Sequence, residues 1–221
     1  MLEAIIRVLA PHYCLGCGRE DTLLCEFCRL SVLHTIPSRC YRCKALTTDA
    51  AVCKKCRAEG PLRHIWASCE YEDLPKQLIH KLKFERAKAA YKPIAMQIHD
   101  TLPMLAGVSI SHVPTATSRV RQRGYDQSLL VARELARLRS LPHRSLLLRR
   151  GQQRQVGAER SVRAAQAQDF FTTKKQREPL PAHVLLVDDV LTTGATLQAA
   201  ARCLKRAGVK RVDAVVFAQK Q

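Results

Sequence analysis

Four closely spaced cysteine pairs dominate the first quarter of the chain. Eight of the ten cysteines form CxxC turns, which are Cys14/Cys17, Cys25/Cys28, Cys40/Cys43 and Cys53/Cys56. One such turn brings two thiolates to one face of a tetrahedral ion, and two turns complete a closed structural zinc site. The pairing favours zinc over an iron–sulfur cluster, because no ferredoxin spacing occurs. The sequence therefore predicts two structural Zn²⁺ ions rather than a redox-active pair or a disulfide framework.

The cysteine spacing leaves two ways of grouping the pairs. In sequential ribbons the first two pairs share one ion and the last two share the other, whereas a cross-brace alternates the pairs. Gaps of 7 and 9 residues inside the sequential groups suit two short hairpins, so we favour sequential ribbons. We expect a double zinc ribbon over residues 1–62 and a second domain over residues 63–221.

The charge of the chain is strongly positive. Lys and Arg number 37 against 19 Asp and Glu, a formal net charge of +18. Such an excess predicts polyanionic partners. No apolar run reaches the length of roughly 18 residues that spans a bilayer, so we expect no transmembrane segment. The first residues make a poor export signal, and we expect a cytoplasmic protein with reduced thiols.

Strand and helix patterns alternate after the cysteine module. Apolar runs predict strands at residues 64–71, 108–113, 145–148, 183–187 and 211–218. Apolar residues at helical spacing predict helices at 73–83, 86–102, 126–139 and 196–207. This alternation is typical of an α/β domain with a mainly parallel sheet flanked by helices.

The most informative segment is VLLVDDVLTTGATL, at residues 184–197. A buried strand is predicted to end at Asp188 and Asp189, and a small loop then opens into a helix. Free N–H groups and a partial positive charge at a helix N-terminus suit a phosphate. The two carboxylates can accept hydrogen bonds from neighbouring hydroxyls. We therefore predict a phosphate loop formed by Thr192, Thr193, Gly194, Ala195 and Thr196.

This segment resembles the 5-phosphoribosyl 1-diphosphate (PRPP) loop of type I phosphoribosyltransferases. The resemblance implies that Asp188 and Asp189 bind the ribose hydroxyls and that the loop binds the 5′-phosphate. It places the diphosphate, with Mg²⁺, beside the loop that contains Pro114, Thr115 and Arg119. Twelve arginines and no lysine lie between residues 119 and 163. Arginine favours bidentate phosphate contacts.

The whole chain resembles the ComF family, which pairs a double zinc ribbon with a type I phosphoribosyltransferase domain. RGYDQ at residues 123–127 is similar to the family's RGFNQ, and LKF at residues 82–84 to its LK[FY]. The stretch from Gln155 through Arg163 and Gln166 is similar to its Q…RxxN. Asp126 and Gln166 depart from the pattern, because the family has Asn at both positions. By this resemblance, Arg149, Gln155, Arg163 and Gln166 belong to a flexible loop that closes over the site.

Two functions fit these features. The first is phosphoribosyl transfer from PRPP to an acceptor that the sequence does not identify, with Asp188, Asp189 and Arg123 in the catalytic site. The second is a non-catalytic adaptor that senses PRPP and binds nucleic acid. The family resemblance implies a role in DNA uptake during natural transformation, or in recombination, through single-stranded DNA and proteins of that machinery. The positive charge fits such a role.

Overall fold

A computed structural model describes residues 12–32, 36–150 and 170–220. Its elements, in chain order, are α1 (Glu26–Val32), α2 (Lys54–Ala58), β1 (Ile65–Glu70), α3 (Asp73–Phe84), a 3₁₀ turn (Lys88–Ala90), α4 (Tyr91–Thr101), β2 (Ser109–His112), α5 (Thr117–Arg123), α6 (Gln127–Arg139), β3 (Leu147–Arg149), β4 (Phe171–Thr173), β5 (His183–Leu191), α7 (Ala195–Arg206) and β6 (Arg211–Gln219). Each strand and helix predicted after residue 63 is present in these ranges, within a few residues of its predicted ends, although residues 86–90 precede α4 and include the 3₁₀ turn.

The central sheet has four parallel strands in the order β1-β6-β5-β2. β3 and β4 form a separate antiparallel pair. The inner strands β5 and β6 are almost wholly buried, as expected when helices cover both faces of a parallel sheet. The predicted α/β class with a mainly parallel sheet is therefore confirmed.

Successive side chains of β5 point to opposite faces and divide the core in two. Leu185 and Val187 pack with residues of α3, α4 and α6. Val184 and Leu186 pack with residues of α7 and of the small β3–β4 sheet. The site described below lies where these two halves meet, at the carboxyl ends of the strands.

The two cysteine ribbons pack on different halves of this core. Cys14, Cys25 and Cys28 belong to the half that contains α4, and Arg29 of α1 pairs with Asp100 of that helix. The second ribbon, which contains Cys40 and Cys56, belongs to the half that contains α7. It also joins the start of β1, since the amide of Ile65 donates to the carbonyl of Ala50 at 3.0 Å. The ribbons are therefore packed onto the second domain, and the division at residue 62 stays a prediction.

The structure corrects one detail of the predicted strand end. β5 continues to Leu191, so Asp188 and Asp189 lie within the strand and not after it. The reason is the partner strand, because β6 keeps pairing with β5 as far as Leu191 and Gln219. In the part of the chain that the structure describes, no helix has the length and apolar character needed to cross a bilayer.

Candidate active site

The site forms where β5 extends beyond its neighbour β2. The last β2 pair joins His112 to Val187, so among the described residues no strand lies beside Asp188 on the side of β5 that faces β2. The first turn of α6 occupies that position. Ser128 donates its hydroxyl to Asp188 Oδ1 at 3.1 Å, and the amide of Asp189 donates to the same oxygen at 2.9 Å. Parallel α/β sheets bind ligands at this carboxyl edge.

The two carboxylates have different surroundings. Asp189 is 5 % exposed, and it accepts from Lys83 Nζ at 2.7 Å and from Gln127 Nε2 at 3.0 Å. Asp188 is partly exposed and has no cation at such a distance among the described residues. Asp189 is thus anchored inside the protein, and Asp188 is the carboxylate available to a ligand.

Burial and the neighbouring charge of Asp189 raise the pKa of Asp188 to about 7. The Asp189 amide, the Lys83 ammonium and the Ser128 hydroxyl oppose this rise without cancelling it. A raised pKa means that the folded protein holds a carboxylate that is poorly compensated. Such a group gains from a ligand that brings hydroxyl donors or a cation.

The LKF and RGYDQ motifs contact each other next to Asp189. Arg123 is 8 % exposed, and its Nε donates to the Lys83 carbonyl at 2.6 Å while its Nη1 donates to Gln127. Tyr125 donates its hydroxyl to the Leu82 carbonyl at 2.7 Å. The LKF and RGYDQ segments therefore hold Lys83 and Gln127 against Asp189. The Arg123 guanidinium points into this network, which places it behind the acid pair.

Asp126 occupies the N-cap of α6. Its side chain accepts from the amides of Ser128 and Leu129, and from both the amide and the hydroxyl of Thr115. The charge that this residue introduces therefore faces the positive end of a helix. The same bonds fix the loop after β2 and use the two donors of Thr115, a residue predicted to contact PRPP.

The predicted phosphate loop joins β5 to α7. Gly194 is the N-cap of α7 with φ of +75°, a left-handed conformation that favours glycine. Thr192, Thr193, Ala195 and Thr196 are exposed, and Gly194 is buried. The first-turn amides of α7 have no acceptor within the helix. The loop and the Asp pair therefore lie on one strand end, at the spacing that the sequence predicts.

Lys83 also lines a basic cavity of about 310 Å³. Phe84, Arg86, Arg119, Gln122 and Arg123 complete its lining. Phe84 is 68 % exposed, and both Arg86 and Arg119 are exposed. An aromatic ring among arginines is an arrangement that binds the bases and phosphates of a single strand. Pro114 is buried two residues after β2 and is not among the residues that line this cavity.

The eight cysteines form two clusters, each with its Sγ atoms within 4.8 Å of one another. One contains Cys14, Cys17, Cys25 and Cys28, and the other Cys40, Cys43, Cys53 and Cys56. This confirms the sequential grouping over the cross-brace. Backbone amides donate to the sulfurs, for example Cys25 to Cys14 Sγ at 3.3 Å. Four thiols at this spacing fit one tetrahedral Zn²⁺ per cluster.

Some functional residues escape prediction from sequence. Ser128 carries no motif signal, and nothing local shows that Lys83 and Gln127 bind Asp189. The signal for these two lies in the LKF and RGYDQ motifs, in which the sequence predicts a role for Arg123 alone. Of the predicted flexible loop, Arg149 ends β3, with its guanidinium 5.7 Å from the centre of the Phe171 ring. Gln155, Arg163 and Gln166 lie outside the described residues.

Comparisons with known proteins show which family and which proteins this chain resembles. The model of the phosphoribosyl transferase domain family matches residues 93–221. The chain is 27% identical over 201 residues to competence protein ComFC of Bacillus subtilis, covering 86% of this chain and 81% of that protein. It is 25% identical over 195 residues to competence protein ComFC of Streptococcus pneumoniae, covering 87% and 86%. It is 26% identical over 219 residues to DNA utilization protein YhgH of Escherichia coli K12, covering 90% and 86%.

Proposed function

Because this chain belongs to the phosphoribosyl transferase domain family and shares the features of the ComF proteins, we propose that it binds PRPP. The observation that carries the proposal is one continuous strand end. This strand end holds the Asp188 carboxylate, whose pKa is raised by burial and by the charge of Asp189. The predicted phosphate loop begins three residues after Asp189 and leads into α7. A ribose with a 5′-phosphate offers hydroxyls and an anion at matching positions.

The contacts assign different roles to the two acids. Asp188 accepts the ribose hydroxyls, since it is the partly exposed carboxylate. Asp189, bound by Lys83 and Gln127, is a positioning residue that keeps the pair in place. Thr192, Thr193 and Thr196 supply hydroxyl donors beside the first-turn amides of α7. Mg²⁺ would neutralise charge on the diphosphate, and the carboxylate oxygens of Asp188 are ligands of the kind it prefers.

Calorimetric titration with PRPP and Mg²⁺ tests this proposal. Replacing both Asp188 and Asp189 by Ala removes hydrogen bonds to a charged acceptor worth about 1.5–3 kcal/mol each, so affinity falls at least tenfold. Thr193→Val deletes one donor and has a smaller effect. Glu134→Ala is the matched control, because this carboxylate pairs with Arg137 on the surface of α6. Unchanged affinity in the double Asp variant rejects the site.

Phosphoribosyl transfer would break the bond between ribose C1 and the diphosphate and form one to an acceptor. The described residues position PRPP and hold charge around it, which is the main requirement of such a reaction. Release of diphosphate, measured with and without single-stranded DNA, separates the two forms of the proposal. Turnover identifies an enzyme, and tight binding without release identifies a PRPP sensor.

A second activity is supported by the basic cavity next to the site. We propose that single-stranded DNA binds across Phe84, Arg86 and Arg119, consistent with the excess of 27 basic over 13 acidic side chains after residue 66. The names of the relatives, competence and DNA utilization proteins, fit this proposal. Affinity would then fall steeply with salt, because phosphate contacts release counterions.

Fluorescence anisotropy with an oligo(dT) probe measures this binding. Phe84→Ala removes a stacking platform worth about 1–3 kcal/mol per base, so we expect a loss near tenfold. Arg119→Gln should weaken binding and flatten the salt dependence. Arg177→Gln changes an exposed arginine outside the cavity and serves as the control. Equal losses in Arg119 and Arg177 variants would show that the surface binds DNA without a defined path.

A further inference from the structure

The inner side of the phosphate loop is covered by a residue of the second cysteine ribbon. A Cβ atom built on Gly194 would lie 2.7 Å from Cε2 and 2.9 Å from Cδ2 of Tyr41. The Cα of Gly194 therefore rests directly against the tyrosine ring. The residues on either side of this glycine, Thr193 and Ala195, are exposed. The ring thus forms the floor of the loop and leaves its outer side open.

The position of Tyr41 is set by the second cysteine cluster. Tyr41 lies inside the turn from Cys40 to Cys43, and it is 7 % exposed. Its ring packs in the same apolar cluster as Val52, Cys56 and Leu197 of α7. Arg42 joins this turn to the other turn of the cluster by donating to the Cys56 carbonyl at 3.3 Å. Any shift of this cluster would move the ring on which Gly194 rests.

The first ribbon offers a natural comparison. Leu15 follows Cys14 in the first ribbon as Tyr41 follows Cys40 in the second ribbon. Leu15 packs on the half of the core that contains α4. Gly194 has no side chain of the first ribbon among its nearest neighbours. The two ribbons are therefore alike in their ligands but differ in what they support.

We propose that Tyr41 is a positioning residue for the phosphate loop, and that it couples the metal in the second cysteine cluster to the sugar phosphate. This inference rests on the proposed PRPP site and names a determinant of it. Coupling between two binding sites is reciprocal. Metal in the second cluster strengthens phosphate binding, and a bound phosphate retains that metal. The first cluster takes no part.

Tyr41→Ala and Tyr41→Phe test the ring itself. Hydrogen exchange of a peptide spanning residues 190–198 reports loop order without any ligand, and calorimetry with PRPP reports binding. We expect Tyr41→Ala to speed exchange in this peptide about tenfold and to weaken PRPP binding about tenfold, with both zinc equivalents retained. Tyr41→Phe keeps the ring and should match the unmodified protein in all three measurements.

Cys43→Ser and Cys17→Ser test the coupling, because both cysteines are exposed and hold equivalent places in the two clusters. Only Cys43→Ser should speed exchange in the loop peptide. In the unmodified protein, PRPP should slow chelator-driven release of one zinc equivalent and leave the other unchanged.

Unchanged exchange in Tyr41→Ala overturns the inference whether or not PRPP binds. Faster exchange with unaltered PRPP affinity also overturns it, since the ring would then have no role in binding. Failure of the unmodified protein to bind PRPP rejects the proposed function instead, and the exchange data still decide whether Tyr41 and the second cluster order the loop.

Discussion

Replacing Asp188 by Asn should weaken PRPP binding and yet stabilise the protein. The amide oxygen of Asn can accept the two bonds that reach Asp188 Oδ1, from the Ser128 hydroxyl and the Asp189 amide. The substitution replaces the other carboxylate oxygen by an NH₂ group and removes the charge, and with it the cost of burying that charge and the repulsion from Asp189. Stabilisation with loss of binding is the signature of a group kept for function at a cost to stability.

The size of the effect follows from the pKa of Asp188, which rises from 3.8 to about 7 on folding. About three pKa units correspond to roughly 4 kcal/mol, at about 1.4 kcal/mol per unit. Partial solvent exposure reduces this upper value, so we expect about 1–3 kcal/mol. For a protein of this size that is a rise in Tm of about 2–12 °C.

The sign of the pH dependence is fixed by the direction of the shift. A carboxyl with a raised pKa costs nothing below its ordinary pKa, where both states are protonated. The cost grows between 3.8 and about 7 and is constant above. Differential scanning calorimetry at pH 5 and pH 8 should therefore show the larger gain for Asp188→Asn at pH 8.

Asp189→Asn is the matched variant with the opposite expectation. It leaves Lys83 without its carboxylate at 2.7 Å, so it should lower Tm. Both proteins keep the cysteine clusters, and any effect of pH on metal binding cancels in the comparison. A gain for Asp188→Asn that is equal at pH 5 and pH 8, or absent at both, would refute the reasoning.

Three further predictions concern other parts of the fold. Elemental analysis should find about two zinc equivalents per chain and one in Cys43→Ser, whereas protein that folds without metal would contradict the assignment of the clusters. Burial alone would raise the pKa of Asp213, but hydrogen bonds from His183 and His64 and the charge of Arg211 lower it. This stabilisation is full above an ordinary pKa near 3.8 and is lost as pH falls through the lower folded value. Asp213→Asn should thus cost about 3–5 kcal/mol in urea unfolding at pH 7 and progressively less below pH 4, and an equal cost at both would count against it. Asp126→Asn keeps the N-cap of α6 but replaces the oxygen that faces the Thr115 amide by a donor, so unfolding should show a loss of about 1–3 kcal/mol, and unchanged stability would show that this bond contributes nothing.

The sequence by itself determined the features that depend on short spacing. CxxC turns separated by 7 and 9 residues favour closure with the neighbouring turn, and the clusters follow this sequential grouping. The spacing of apolar residues along the chain indicated the strands and helices, because buried side chains recur at a different spacing in each kind of element. The sequence also predicted that the acid pair and the loop at residues 192–196 lie together, because a strand, a turn and the start of a helix follow one another there.

Only the tertiary structure decided which of these groups are free to act. Lys83 and Asp189 are 106 residues apart, and their contact at 2.7 Å exists because α3 and β5 meet at one edge of the sheet. Because of that contact, the charge of Asp189 is paired and, among the described residues, the charge of Asp188 is not, a difference that the local sequence does not indicate. In the same way, packing of the second ribbon on α7 puts Tyr41 against Gly194. Local spacing specifies elements and ligand sets, whereas the neutralisation of a charge or the support of a loop depends on the surfaces that burial of the apolar core brings together.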